Sequence, residues 1–156
     1  MTISFDLDDT LIPGIKRFAT ERQSLSHKIL GLETLRIGTV DLIKSLQKDG
    51  HKVYIYTTSF RSKNKIWWTF YLSGIRPDKI INQQVHDKIL REKAKNYSKY
   101  PPIFNIDVHI DDSKGVEIEG HRHNFKTIIV EETDDTWTNS VLTKIAMLSS
   151  VYNQSS

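Results

Sequence analysis

Five short β-rich segments recur along this 156-residue chain, separated by stretches with the spacing or composition of helices. The β-rich segments are the opening run Ile3-Ser4-Phe5, then Lys52–Tyr56, Lys79–Asn82, Val108–Ile110 and Lys126–Val130. Between them, residues 12–36 read as a loop and a short helix, with Pro13-Gly14 at the turn. Phe18, Arg22 and Leu25, then Ile29 and Leu30, lie at helical spacing. Thr39–Lys48 carries the apolar stripe Leu42, Ile43 and Leu46 and stops at Asp49-Gly50. Lys63–Leu72 is an amphipathic helix ending at Ser73-Gly74, residues 87–98 are highly charged and read as helical, and Thr136–Leu148 closes the chain. Strands that alternate with helices predict a parallel sheet. The expected fold is therefore α/β: a Rossmann-like parallel sheet of about five strands with helices on both faces and a small flap or cap at 12–36. Residues 1–150 form one domain, and 151–156 read as a frayed tail.

In such sheets ligands bind at the carboxyl ends of the strands. Here those ends are polar. The first strand runs out into Asp6-Leu7-Asp8-Asp9-Thr10, the second into Thr57-Thr58-Ser59, and the fourth into Asp111-Asp112. Two close carboxylates repel unless a cation or a proton lies between them. Asp6 and Asp8, two residues apart, are suited to a divalent metal and to dividing the work of nucleophile and general acid. A cap or turn would explain one or two of these residues, but not three acids beside a Thr directly after an apolar run.

Composition narrows the classes. With 26% charged and 38% hydrophobic residues the chain is globular. The absence of Cys excludes disulfides, thiolate metal sites and Cys nucleophiles, and fits a reducing compartment. No basic-then-apolar leader is visible and the apolar runs are far too short for a membrane span, so a cytoplasmic location is expected. A net charge of +3 with pI near 9.0 is too mild to argue for nucleic acid by itself.

The ordered pattern resembles the haloacid dehalogenase-like hydrolase superfamily. Four motifs carry the likeness: Asp6-Leu7-Asp8-Asp9-Thr10, Thr57 after Val53-Tyr54-Ile55-Tyr56, Lys99-Tyr100-Pro101-Pro102-Ile103-Phe104, and Ile110-Asp111-Asp112-Ser113. The resemblance spans about residues 2–148 and implies a phosphatase with a minimal cap. By that likeness Asp6 is the nucleophile that forms an aspartyl-phosphate, and Asp8 is the general acid and then the base that activates water. Thr57 matches the phosphate-binding hydroxyl. Mg²⁺ would be held by Asp6, the backbone carbonyl of Asp8, and Asp112 with Asp111 close behind. Among the lysines between strands three and four, Lys88, Lys93, Lys95 and Lys99, the catalytic position falls to Lys99, because Pro101-Pro102 suits the start of a short helix. Lys88 is the runner-up. Thr10, Thr58, Lys88 and Arg61 complete the expected substrate-binding set.

The implied activity is Mg²⁺-dependent hydrolysis of a phosphomonoester. A receiver domain of two-component signalling needs a phosphoacceptor Asp where this chain has Thr57, and no acid stands between Asp49 and Asp78. A non-catalytic phosphate-ester binding module is the other alternative, and it predicts a lost carboxylate. The basic residues Lys16, Arg17, Arg22, Lys28, Arg36, Arg61 and Lys63 allow a phosphorylated nucleotide or nucleic-acid end as partner, as well as a small phosphomonoester. No membrane and no obligate protein partner are expected. His121, Arg122, His123 and the neighbouring His109 read as surface residues. Of Trp67 and Trp68, one is expected in the core and the other exposed.

Overall fold

The computed structural model describes residues 1–154; Ser155 and Ser156, the end of the expected tail, lie outside the described residues. Five strands, β1 (Thr2–Phe5), β2 (Lys52–Tyr56), β3 (Lys79–Ile81), β4 (Val108–Asp111) and β5 (Lys126–Ile129), form one sheet in the order β3-β2-β1-β4-β5. Every pairing is parallel, giving the expected Rossmann-like α/β fold. The helices are α1 (Leu25–Ile29), α2 (Thr39–Lys48), α3 (Lys63–Leu72), α4 (Gln83–Leu90), α5 (Lys114–His123) and α6 (Trp137–Gln154). Among the described residues no helix is long and apolar enough to cross a membrane.

The period of two along each strand divides the interior. Ile3 and Phe5 of β1, Val53 and Ile55 of β2, and Val108 and Ile110 of β4 join one apolar cluster with α2, α3 and α6. Tyr54 and Tyr56 of β2 point to the other face and meet Ile81, Val85, Phe104 and Ile106. Full burial of each such Leu, Ile or Phe contributes about 1.5–3 kcal/mol, so this two-sided packing is the main support of the sheet.

Local signals set the boundaries, and four differ from the sequence reading. Helix α1 starts only at Leu25, where Ser24 accepts the His27 N–H; Phe18 and Arg22 lie outside it. The helix expected over 87–98 begins at Gln83, because Asn82 accepts the Val85 N–H as its cap, and after Leu90 the chain tightens into a 3-10 segment, Arg91–Asn96. Helix α5 was not expected at all. Its sequence has two glycines and little apolar periodicity, and Gly120 is there for proximity: a Cβ would meet the Phe125 carbonyl oxygen at 2.9 Å. Helix α6 continues to Gln154, so Asn153 and Gln154 are helical and not a frayed tail.

Candidate active site

Strand register builds the site. Chain order reverses at β1, which pairs with β2 on one side and β4 on the other, so the crevice between β1 and β4 is the topological switch point of the sheet. Phe5 pairs with Ile110, and the Asp6 N–H donates to the Ile110 carbonyl at 2.8 Å. The next residues on each strand, Asp6 and Asp111, are thereby set side by side.

Beyond Asp6 the chain turns tightly, with the Leu11 and Ile12 N–H groups both donating to the Leu7 carbonyl. Asp9 takes a left-handed φ of 61°, which Asp tolerates better than most residues. Its carboxylate accepts the N–H groups of Gly14 at 2.9 Å and Lys16 at 2.7 Å, fixing the start of the flap. The Thr10 hydroxyl donates to Asp112 at 3.2 Å, so Thr10, expected to bind substrate, instead orients a carboxylate.

Lys99 is the residue that joins the strands. It is buried, its ammonium donating to Asp6 and, at 2.9 Å, to Asp111. Its backbone is held on both flanks. The Ser98 and Lys99 N–H groups donate to Glu119 on α5, and the Tyr100 N–H donates to the Tyr56 hydroxyl at 2.9 Å. Pro101 and Pro102 then open the short 3-10 turn Pro101–Phe104. Lys88, in contrast, is exposed in the last turn of α4 and does not line the cleft, and Lys93 is exposed. The Lys95 side chain lies outside the described residues.

Burial drives the protonation of this cluster. Loss of solvent pushes the Asp6 carboxyl up to about 7; Lys99 opposes the rise and the Asp111 charge adds to it. Burial also works against the charges of Lys99 and Asp111, but there the partners win. Asp6 and Asp111 hold the Lys99 ammonium above its ordinary range, and Lys99 with His109 holds Asp111 well below the usual carboxylate range.

His109 is the residue that sequence reasoning misplaced. It is fully buried, not on the surface, because its position on β4 faces inward beside Ser4 of β1. Burial lowers its pKa. As a neutral ring it accepts from the Ser4 hydroxyl at Nδ1 (2.7 Å) and donates from Nε2 to Asp111 (3.0 Å), an assignment that follows from the hydrogen-bond network. The chain thus carries a buried polar thread, Ser4–His109–Asp111–Lys99, whose only sequence signal was two polar residues at paired strand positions. His121 and Arg122 are exposed as expected, on α5.

The cleft measures about 200 Å³ and is lined by Asp6, Asp8, Thr58, Lys99, Asp111, Asp112 and Ser113 among others. Thr58 is exposed there. Thr57 is buried at the end of β2, where its hydroxyl accepts the Ser59 N–H at 3.1 Å. Asp6, Asp111 and Asp112 each present a carboxylate oxygen within 4.8 Å of the others. Three hard oxygen donors in a partly solvated cleft fit Mg²⁺, which keeps several waters.

Two flap residues reach this cluster through pairings that sequence did not signal. Lys16 places its ammonium 2.8 Å from an Asp112 carboxylate oxygen and 3.3 Å from the Asp112 carbonyl. Glu33 binds Arg61, which binds Asp8. Arg36 is buried beneath Phe18 and Trp137, donating to the carbonyls of Glu131, Glu132 and Asp134. Lys16, Arg36 and Arg61 are therefore engaged inside the protein, whereas Arg17, Arg22, Lys28 and Lys63 are exposed. Trp67 packs against the core and Trp68 is 44% exposed, lining a separate apolar cleft with Leu30, Leu32 and Lys65. No protein-family model matches the chain, and no curated protein matches it.

Proposed function

We propose that this protein is a Mg²⁺-dependent phosphomonoester hydrolase of the haloacid dehalogenase-like type, working through an aspartyl-phosphate on Asp6. The observation that carries the proposal is the convergence of the Asp6, Asp111 and Asp112 carboxylates at the sheet's switch point, with the buried ammonium of Lys99 between Asp6 and Asp111. That arrangement gathers a nucleophile, an acid-rich cation site and a fixed positive charge, the elements that phosphoryl transfer requires. A non-catalytic module has no need for all four carboxylates of the pattern, and all four are present.

The chemistry follows from the residues. An Asp6 oxygen bonds to phosphorus as the ester P–O bond breaks, and Asp8 gives its proton to the departing oxygen. A water then bonds to phosphorus, its proton passes to Asp8, and the Asp6–phosphorus bond breaks. Lys99 faces the anionic phosphoryl oxygens and steadies Asp6 as a carboxylate. Asp6, Asp112 and the Asp8 carbonyl would hold Mg²⁺, with Asp111 behind them, and the ion would neutralise charge on the phosphoryl group.

Hydrolysis of an aryl phosphate is expected only with Mg²⁺ or a similar ion, and excess chelator removes it. The Lys16 ammonium competes for Asp112, so Lys16→Met should tighten Mg²⁺ binding severalfold in calorimetry. Undiminished turnover in chelator would sink the metal assignment.

A nucleotide or nucleic-acid end is the more specific activity suggested by the exposed basic residues of the chain. The cleft accommodates a phosphate and little more, so the leaving group stays outside it. Phe60, 75% exposed, and the exposed Arg22, Lys28 and Lys63 offer aromatic and positive surface to which a base and further phosphates could bind. For such substrates KM rises steeply with ionic strength. Mononucleotides, phosphorylated oligonucleotides and sugar phosphates compared across a salt series decide this. Preference for a sugar phosphate with a KM flat in salt removes the nucleotide reading.

A further inference from the structure

We propose that Arg61 is a positioning residue that aims the Asp8 carboxylate and ties it to the flap through Glu33, and that it does not bind the substrate phosphate. The inference rests on the phosphatase reading above. Arg61 Nη1 lies 2.8 Å from both Asp8 oxygens and 2.9 Å from the Ser59 hydroxyl. Nε and Nη2 each lie 2.7 Å from Glu33 Oε1. A guanidinium has five N–H donors, so these partners leave at most a single Nη2 hydrogen for anything else.

The mount of this fork is rigid. The Arg61 N–H donates to the Ser59 hydroxyl at 3.1 Å, and its carbonyl accepts from the side chain of Asn82, the buried cap of α4, at 2.9 Å. Asp8 has more freedom: its side chain is 39% exposed. Without a partner such a carboxylate samples several rotamers, and proton transfer needs a single one. Arg61 supplies that restraint from a fixed backbone. Glu33, near the end of the flap, shares the same guanidinium, so the flap's placement reaches the proton-transfer group through one side chain.

The two half-reactions differ in how they depend on Asp8. When the ester bond breaks, the departing oxygen takes the Asp8 proton, and the need for that proton grows as the leaving group becomes a poorer one. When water attacks Asp6-bound phosphate, the leaving group has gone. A mispositioned Asp8 therefore shows as increased sensitivity to the leaving group. A lost phosphate ligand shows as a raised KM and a loss that is equal for all esters.

The test uses the full chain with Mg²⁺, an aryl phosphate with an acidic phenol, and an alkyl phosphate. Arg61→Gln is expected to lower kcat about 100-fold on the alkyl ester and about tenfold or less on the aryl ester, with KM changed less than about twofold. Arg61→Lys does not restore the profile, because an ammonium cannot bridge both carboxylates as a planar fork does. Glu33→Gln, nearly isosteric, shifts the ester ratio in the same direction by a smaller factor and speeds tryptic cleavage at Arg22 and Lys28. If Arg61→Gln does not fold, Glu33→Gln decides by the same two readouts. A raised KM with equal kcat loss on both esters overturns the proposal, as does an unchanged ester ratio. Absence of wild-type turnover on every ester overturns the phosphatase reading itself, and this inference falls with it.

Discussion

Asp6→Asn is expected to abolish turnover, by about four orders of magnitude or more, while leaving the protein folded. The amide keeps the shape of the side chain but has no oxygen able to form the covalent phosphoryl bond. It also removes one of two like charges that share Lys99. Asp6 in the metal-free protein has its carboxyl pushed up to about 7, above its unfolded value. A raised acid stabilises the fold fully only below the unfolded pKa, and that stabilisation disappears as pH rises through about 7. The Asn variant lacks this dependence, so its metal-free thermal midpoint should fall less than wild type between pH 5 and pH 8, on the order of a few degrees. Asp8→Asn should spare Mg²⁺ binding more than catalysis, since in the proposed mechanism Asp8 uses its side chain for the proton. Mass spectrometry should then find phosphate on Asp6 if its release is slowed. Wild-type turnover by Asp6→Asn would refute the covalent mechanism.

Lys99→Ala is the second large effect, and it acts on stability as well as rate. Lys99 is a buried cation between two buried carboxylates. Removing one partner of a buried charge cluster costs about 3–5 kcal/mol, because the remaining charges are left uncompensated. Metal-free Lys99→Ala should therefore unfold at distinctly lower denaturant, and Mg²⁺ should restore part of the loss by binding only the folded state. With Mg²⁺ present, kcat should fall and KM rise together, since in the proposed mechanism the ammonium serves bound phosphate and transition state alike. Lys99→Met, which keeps the apolar stem, separates the loss of charge from the loss of packing. Lys88→Ala, at an exposed position on α4, should change neither quantity by more than experimental scatter. If Lys88→Ala is the damaging change, the lysine assignment is wrong.

The sheet was legible from sequence because its signals are local. Val53–Tyr56 and Val108–Ile110 are compact runs of β-formers, and carboxylates placed directly after such runs must emerge at the sheet's carboxyl edge. Lys99 was legible through Pro101-Pro102, which fix a backbone shape that composition alone reveals. Helix α5 was not, because Gly120 serves close packing on β5 and, with Gly115, interrupts any helical period. Nor could sequence distinguish a buried His109 from an exposed one: its environment is set by Ser4, 105 residues away. The pairings of Lys16 with Asp112 and of Glu33 with Arg61 depend on how an irregular flap folds back, which no periodicity encodes.

The sheet order has a consequence for how this protein comes into being. Strand β1 lies at the centre, yet one of its two neighbours, β4, begins more than a hundred residues after it. During synthesis β1, β2 and β3 can pair first, and Asp6 then stands at an open edge with neither Lys99 nor Asp111 available. Closing that long loop carries an entropic cost that only the final docking of β4 can offset. The acid–lysine cluster therefore assembles only once β4 has docked, and a truncated chain that stops before β4 lacks Asp111 and Asp112 however much of its sheet has formed.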